Sequence, residues 1–220
     1  MSHPQHAEQL GIEPRRKDFT MKHQLFDQFV REKTVVIMRG LTPEKAQACG
    51  DALVKAGIHL MDVPLNRPGA LECIKILADH FRGTDVHVGA GTVLKPEQVD
   101  QVREAGGEFI ISPNVNCNVI RRTKELGMFS MPGFATPSEA FEAIDAGADI
   151  LKAFPCGTPE NISVLKSVIP LPVFAVGGVL KDNKRAYLAT SDGLGVGIGI
   201  YRPEFSPEEL YDSAKAFMEA

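Results

Sequence analysis

Thr34-Val-Val-Ile-Met38, followed by Thr42-Pro43-Glu44 and closed by Lys55-Ala-Gly57, spells one complete strand–helix unit. The β-branched run fits a buried strand. Thr42 and Pro43 carry the chemistry of an N-cap and a first helical residue, and Gly57 suits a left-handed stop. The same exit recurs at Glu104-Ala-Gly106, Glu125-Leu-Gly127 and Asp145-Ala-Gly147, each leading straight into an apolar run. Strands are therefore expected at 34–38, 58–65, 86–90, 108–111, 128–131, 149–153, 172–176 and 193–199. Between and after them the pattern predicts helices near 42–56, 69–81, 96–105, 116–126, 137–146, 159–168, 181–189 and 207–219. Strands alternating with helices imply parallel pairing through right-handed crossovers. Eight such units predict an α/β protein built as a single (β/α)8 TIM barrel. An open doubly wound sheet is the alternative, but no GxGxxG opens the first unit to support it.

Upstream of this rhythm, Leu25, Phe26, Phe29 and Val30 share a helical face, which predicts an extra N-terminal helix from about Lys22. Residues 1–20 are polar, lack a periodic apolar face and contain Pro4 and Pro14. They are expected to form a disordered extension, with residues 21–220, from Met21, making one barrel domain.

At 220 residues the chain supports one sizeable core rather than two linked domains. A net charge of -4 with no basic block argues against nucleic acid as a partner. No apolar run is long enough to span a bilayer, and the first residues lack the order of a signal peptide. Cys49, Cys73, Cys117 and Cys156 show neither CxxC spacing nor an adjacent His. Neither zinc nor a disulfide framework is expected, and reduced thiols in a cytoplasmic protein are the simplest account.

In a barrel the chemistry belongs at the C-terminal ends of the strands. There Asp62 and Lys152 stand out as an isolated acid and an isolated lysine inside otherwise apolar strands. Desolvation lowers a lysine's pKa and frees a nucleophilic amine, although lysines at strand ends commonly just extend to water. An amine nucleophile also needs a group that moves protons through carbinolamine, imine and enamine, and Asp62 supplies a carboxylate. Gly177-Gly178 and Gly197-Ile-Gly199 follow the last two strands, where many barrels present backbone N–H groups to phosphate. Tight turns explain either glycine cluster alone equally well.

From Val35 to about Glu209 the chain resembles the bacterial KDPG/KHG aldolases, class I lyases that use a Schiff-base lysine. The residues carrying the resemblance are Gly89-Ala-Gly-Thr-Val-Leu94, Ile111-Ser-Pro113, Met131-Pro-Gly133, Leu151-Lys-Ala-Phe-Pro155 and Ala175-Val-Gly-Gly-Val179. Val63-Pro-Leu-Asn66, Val119-Ile-Arg-Arg122 and Tyr201-Arg202 look closer to the phosphogalactonate branch. The resemblance implies cleavage of a 2-keto-3-deoxy-6-phospho sugar acid to pyruvate and D-glyceraldehyde 3-phosphate. It further implies a covalent imine on Lys152 in place of any cofactor, no metal, and a homotrimer. Thr92, Pro113 and Phe154 would shape the pyruvyl pocket. Arg39 or Arg67 would hold the carboxylate, Asn66 and Arg67 would bear on epimer choice, and Gly177, Gly178 and Gly199 would receive the phosphate.

Two positions depart from the family pattern. Asp62 stands where the family has glutamate, one methylene shorter by roughly 1.5 Å, and Ile200 stands where a serine commonly meets the phosphate. Three functions follow: the phospho sugar acid aldolase, an aldolase for 4-hydroxy-2-oxoglutarate or a 6-sulfo analogue, and a non-catalytic barrel binding a sugar phosphate or keto acid.

Overall fold

The structure, a computed structural model, describes residues 16–220. The strands are β1 Thr34–Ile37, β2 Leu60–Pro64, β3 His87–Gly91, β4 Phe109–Ile111, β5 Phe129–Met131, β6 Gly133–Phe134, β7 Leu151–Ala153, β8 Val173–Val176 and β9 Gly193–Val196. The helices are α1 Arg16–Glu32, α2 Pro43–Lys55, α3 Ala70–His80, α4 Pro96–Glu104, α5 Cys117–Glu125, α6 Pro137–Asp145, α7 Pro159–Lys166, α8 Lys184–Leu188 and α9 Pro207–Met218. All strand pairs are parallel, in the order β5-β4-β3-β2-β1-β9-β8-β7-β6. β5 and β6 are two halves of one strand, divided at Pro132, which has no N–H to give the ladder. Its carbonyl still accepts from the Lys152 N–H at 2.9 Å. Counting the halves together gives eight strands in a nearly closed barrel, as the alternation predicts.

Each strand has one face toward the barrel axis and one toward the helices, so the core divides in two. The outer layer packs residues such as Val36, Met61, Val88, Ile110 and Leu194 against α2 to α9. The inner layer joins Val35, Leu60, Phe109, Ile111, Phe129, Met131, Ile150 and Phe174 to Leu25 and Phe29 of α1. The N-terminal helix therefore closes the end of the barrel where the strands begin, and leaves the other end open for a site. Phe29 is the centre of that closure, stacked on Phe129 with ring centroids 4.7 Å apart and edge-on to Phe109 and Phe174 at 5.3 and 5.9 Å. Truncating it to alanine is expected to cost about 3–5 kcal/mol in urea unfolding, the range for a large aromatic lost from a core.

Glycines make room for these inner rings. A Cβ on Gly193 would lie 2.3 Å from the Phe174 ring, so the axis is filled by large residues set against glycine on the next strand.

Several boundaries differ from expectation. α1 starts at Arg16 rather than near Lys22, so residues 16–20 of the disordered extension expected over 1–20 are helical instead, and residues 1–15 lie outside the described residues. Leu25 and Phe29 are buried and Phe26 is half-buried, but Val30 is exposed, because the barrel end is narrower than the helix's apolar face. Thr42 is the N-cap of α2 by position, yet its side chain accepts no backbone hydrogen bond. The last strand ends at Val196, before the Gly197–Gly199 turn. Residues 181–189 divide into a 3-10 turn, Lys181–Asn183, and α8. Gly57, Gly106, Gly127 and Gly147 all have positive φ, as helix stops of this kind require.

Candidate active site

Side-chain alternation carries Lys152 and Asp62 to the barrel axis. Ile150 and Leu60 belong to the inner core, so the residues two further along β7 and β2 face the same way, one layer nearer the open end. Lys152 pairs in register with Gly133 on one side and Phe174 on the other. Its side chain is 7% exposed and makes no hydrogen bond or ion pair among the described residues. The other buried lysine shows what a structural one looks like. Lys184 is 8% exposed and donates to the carbonyls of Phe217 and Met218 at 2.7 and 2.9 Å, which pins α9. Lys152 has only the Phe154 ring, 4.5 Å from Nζ to centroid.

Burial pushes the Lys152 ammonium below the usual lysine range; the Asp62 charge partly restores it and the Arg39 charge lowers it further. Asp62 is 1% exposed, and its Oδ1 has no hydrogen-bond partner among the described residues. Burial raises its carboxyl to about 7, against the opposing charges of Lys152 and Arg39. An acid and an amine whose ordinary values lie far apart are thus driven toward each other. A buried amine with a depressed pKa near a buried carboxyl with a raised one supplies a nucleophile and a proton-transfer group to the same cavity.

The neighbourhood of Asp62 is built tightly. A Cβ on Gly91 would lie 2.3 Å from Asp62 Oδ1, so the carboxylate rests on the glycine's bare Cα. Thr92, the next residue, is held left-handed at φ 57°, a conformation costing a non-glycine residue roughly 1–2 kcal/mol. Gly91→Ala is expected to displace the carboxylate and lower kcat about 100-fold, the effect of moving a catalytic group by about 1 Å. Steady-state kinetics beside a thermal melt separates this from unfolding.

Above the pair lies a cavity of about 580 Å³, lined by Arg39, Arg67, Lys152, Phe154, Gly177 and Gly178 among the residues expected from sequence. Asp62 lies beneath it rather than on its wall. Thr92 and Pro113 are half-buried and Asn66 is exposed, and none of the three lines the cavity. Gly199 does not line it either. A Cβ there would lie 2.7 Å from the Val179 carbonyl, so this glycine serves close packing of the last loop, while Gly195 and Gly197 face the cavity.

Ile37, Gly40, Val176, Val179, Ile198, Tyr201 and Pro203 complete the wall; none was among the expected site residues, although Val176, Val179 and Tyr201 lie in stretches that carry the family resemblance. Strand parity could have found Ile37 and Val176, which follow Val35 and Phe174 by two. No sequence signal distinguishes Ile198 or Pro203. The Tyr201 hydroxyl is buried without a partner among the described residues, and burial raises its pKa.

The KDPG and KHG aldolase family pattern matches residues 27–205. The chain is 42% identical over 191 residues to the 2-dehydro-3-deoxy-6-phosphogalactonate aldolase of Escherichia coli K12, covering 84% of this chain and 93% of that one. A solved native KDPGal structure superposes with a TM-score of 0.82 at 41% identity, covering 84% of this chain and 92% of that one. The KDPG aldolase of Legionella pneumophila, solved with pyruvate captured as a covalent carbinolamine, superposes at 0.74 with 26% identity, covering 86% and 96%. The family match spans the barrel, including β2 with Asp62 and β7 with Lys152. The chain is an aldolase, a carbon–carbon lyase, and belongs to the KDPG and KHG aldolase family.

Proposed function

We propose that the chain cleaves 2-keto-3-deoxy-6-phosphogalactonate to pyruvate and D-glyceraldehyde 3-phosphate through an imine on Lys152. The observation that carries this reading is the buried Lys152 amine, without a hydrogen-bond or ion-pair partner among the described residues, near an Asp62 carboxyl whose pKa is raised to about 7. The neutral amine adds to the C2 carbonyl, and loss of water from the carbinolamine leaves a cationic imine. That imine draws the electron pair of the C3–C4 bond into an enamine as the C4 hydroxyl gives up its proton. Ionised Asp62 receives that proton, directly or through one water, and returns it to C3 of the enamine. Hydrolysis of the resulting imine frees pyruvate and restores the amine.

Arg39 faces the cavity without a hydrogen-bond or ion-pair partner among the described residues and acts electrostatically on both Lys152 and Asp62. It is suited to hold the C1 carboxylate beside the reacting C2, since a guanidinium fork matches a carboxylate. Phe154 walls the pyruvyl end next to Nζ. The Gly177 and Gly178 backbone, at φ 105° and 75°, presents N–H groups to the distal phosphate. We also propose a homotrimer working in the cytoplasm. The four free cysteines suit a reducing compartment, and Val164, 70% exposed on α7, suits an assembly.

The substrate is tested by kcat/KM for the two phosphorylated C4 epimers and for 4-hydroxy-2-oxoglutarate. The galactonate epimer is expected to lead by at least about 10-fold. A lead for either other substrate contradicts the assignment while leaving the imine chemistry standing.

A further inference from the structure

The Gly177-Gly178-Val179 turn after β8 lies on the cavity wall, and its two glycines are held at φ 105° and 75°. The N–H groups of Gly178 and Val179 have no acceptor among the described residues. The carbonyls that share a peptide plane with them do have donors. The Cys156 thiol donates to the Gly177 carbonyl at 2.7 Å, and the Asn183 side-chain amide donates to the Gly178 carbonyl at 2.9 Å. A trans peptide sets its N–H and C=O in opposite directions, so fixing one fixes the other. Cys156 and Asn183 both stand off the cavity wall. Each tie therefore draws a carbonyl back into the protein and turns an N–H away from it, to the side where the cavity lies.

Both donors are themselves anchored. Cys156 is buried, and its own N–H donates to the Val176 carbonyl at 3.1 Å. The other carbonyl near its thiol, Gly157 O at 3.8 Å, already accepts the Tyr187 hydroxyl at 2.7 Å. The thiol proton therefore goes to Gly177. Asn183 is fixed at its other atom, since Oδ1 accepts the Leu180 N–H at 2.8 Å. The ties matter most at glycine, which has no Cβ to restrict how its peptides turn.

We infer that Cys156 and Asn183 are positioning residues, which hold the Gly178 and Val179 N–H groups aimed at the substrate's terminal phosphate. This rests on the aldolase function proposed above and adds to it the two side chains that orient the anion site from behind. N–H groups fixed before the substrate arrives bind an anion without the entropy cost of ordering a glycine turn. The backbone then supplies donors where Ile200, fully buried and apolar, supplies none.

The test compares kcat/KM for the phosphorylated substrate and for its unphosphorylated counterpart in wild type, C156A, C156S, N183A and C156A/N183A. C156A and N183A are each expected to lower the phosphorylated-to-unphosphorylated ratio about 3- to 10-fold, the effect of one hydrogen bond lost. The loss should appear in KM for the phosphorylated substrate rather than in kcat. Borohydride trapping of pyruvate, which has no phosphate, should not follow it. C156S keeps a hydroxyl donor for the Gly177 carbonyl and should restore the ratio, and the double variant should lose more than either single one. N183A, in a half-buried surface turn, carries the comparison where C156A fails to fold. Ratios equal to that of wild type, equal losses on both substrates, or a C156S loss as large as that of C156A overturn the assignment. Wild-type protein that neither cleaves these substrates nor traps pyruvate overturns the aldolase function instead, so the two failures are told apart.

Discussion

Lys152→Met is expected to reduce cleavage at least about 10⁴-fold, because no other group on the cavity wall can form the imine. The other cations on that wall, Arg39 and Arg67, are guanidiniums rather than primary amines. Methionine keeps much of the stem's length and apolar packing against Phe154, so the loss reads chemistry rather than collapse. Stability should stay level or rise. Lys152 is buried without a hydrogen-bond partner among the described residues, and removing such an amine removes a desolvation cost. Full activity in this variant would move the nucleophile elsewhere.

Asp62→Asn should lower kcat about 10²- to 10⁴-fold, the range for a positioned general base, while pyruvate still forms a trappable imine. The wild-type rate is expected to rise with pH through about 7, as Asp62 ionises, and the variant should lose that limb. Stability provides a second reading of the same group. The folded value of about 7 lies above the unfolded value of 3.8, so folding disfavours the ionised form. The carboxyl then carries no penalty below about pH 4, and its cost grows as pH rises to about 7. Above that the cost is constant, on the order of 4 kcal/mol. Wild type minus variant, in urea unfolding across this window, isolates the effect from other titrating groups. A difference that does not change with pH would mean that Asp62 is not the group titrating near neutrality.

The barrel was legible because its signals are local. Pro at the first helical position recurs in α2, α4, α6, α7 and α9, and glycine stops follow four of the helices. Lys152 and Asp62 were legible because charge inside an apolar strand has few structural uses. What the sequence left hidden depends on three-dimensional placement. Asp62 lies under the cavity floor rather than on the wall, since every residue of β2 is buried. Gly199 looks like a phosphate glycine by position, yet it is required where the last loop crosses the Val179 carbonyl. Ile198 and Pro203 reach the wall only through the turn that follows β9, and no periodicity marks a turn. Arg39 and Arg67 follow neighbouring strands and both reach the cavity wall, but Arg67 borders a second cavity as well, which no sequence pattern foretells.

The imine on Lys152 is the claim on which the rest depends, and borohydride reduction in the presence of pyruvate, read by peptide mass spectrometry, tests it most directly. The expected result is one reduced pyruvyl adduct per chain, located on Lys152, retained in Asp62→Asn and absent in Lys152→Met. Wild-type protein that cleaves substrate but carries no adduct on Lys152 would contradict it.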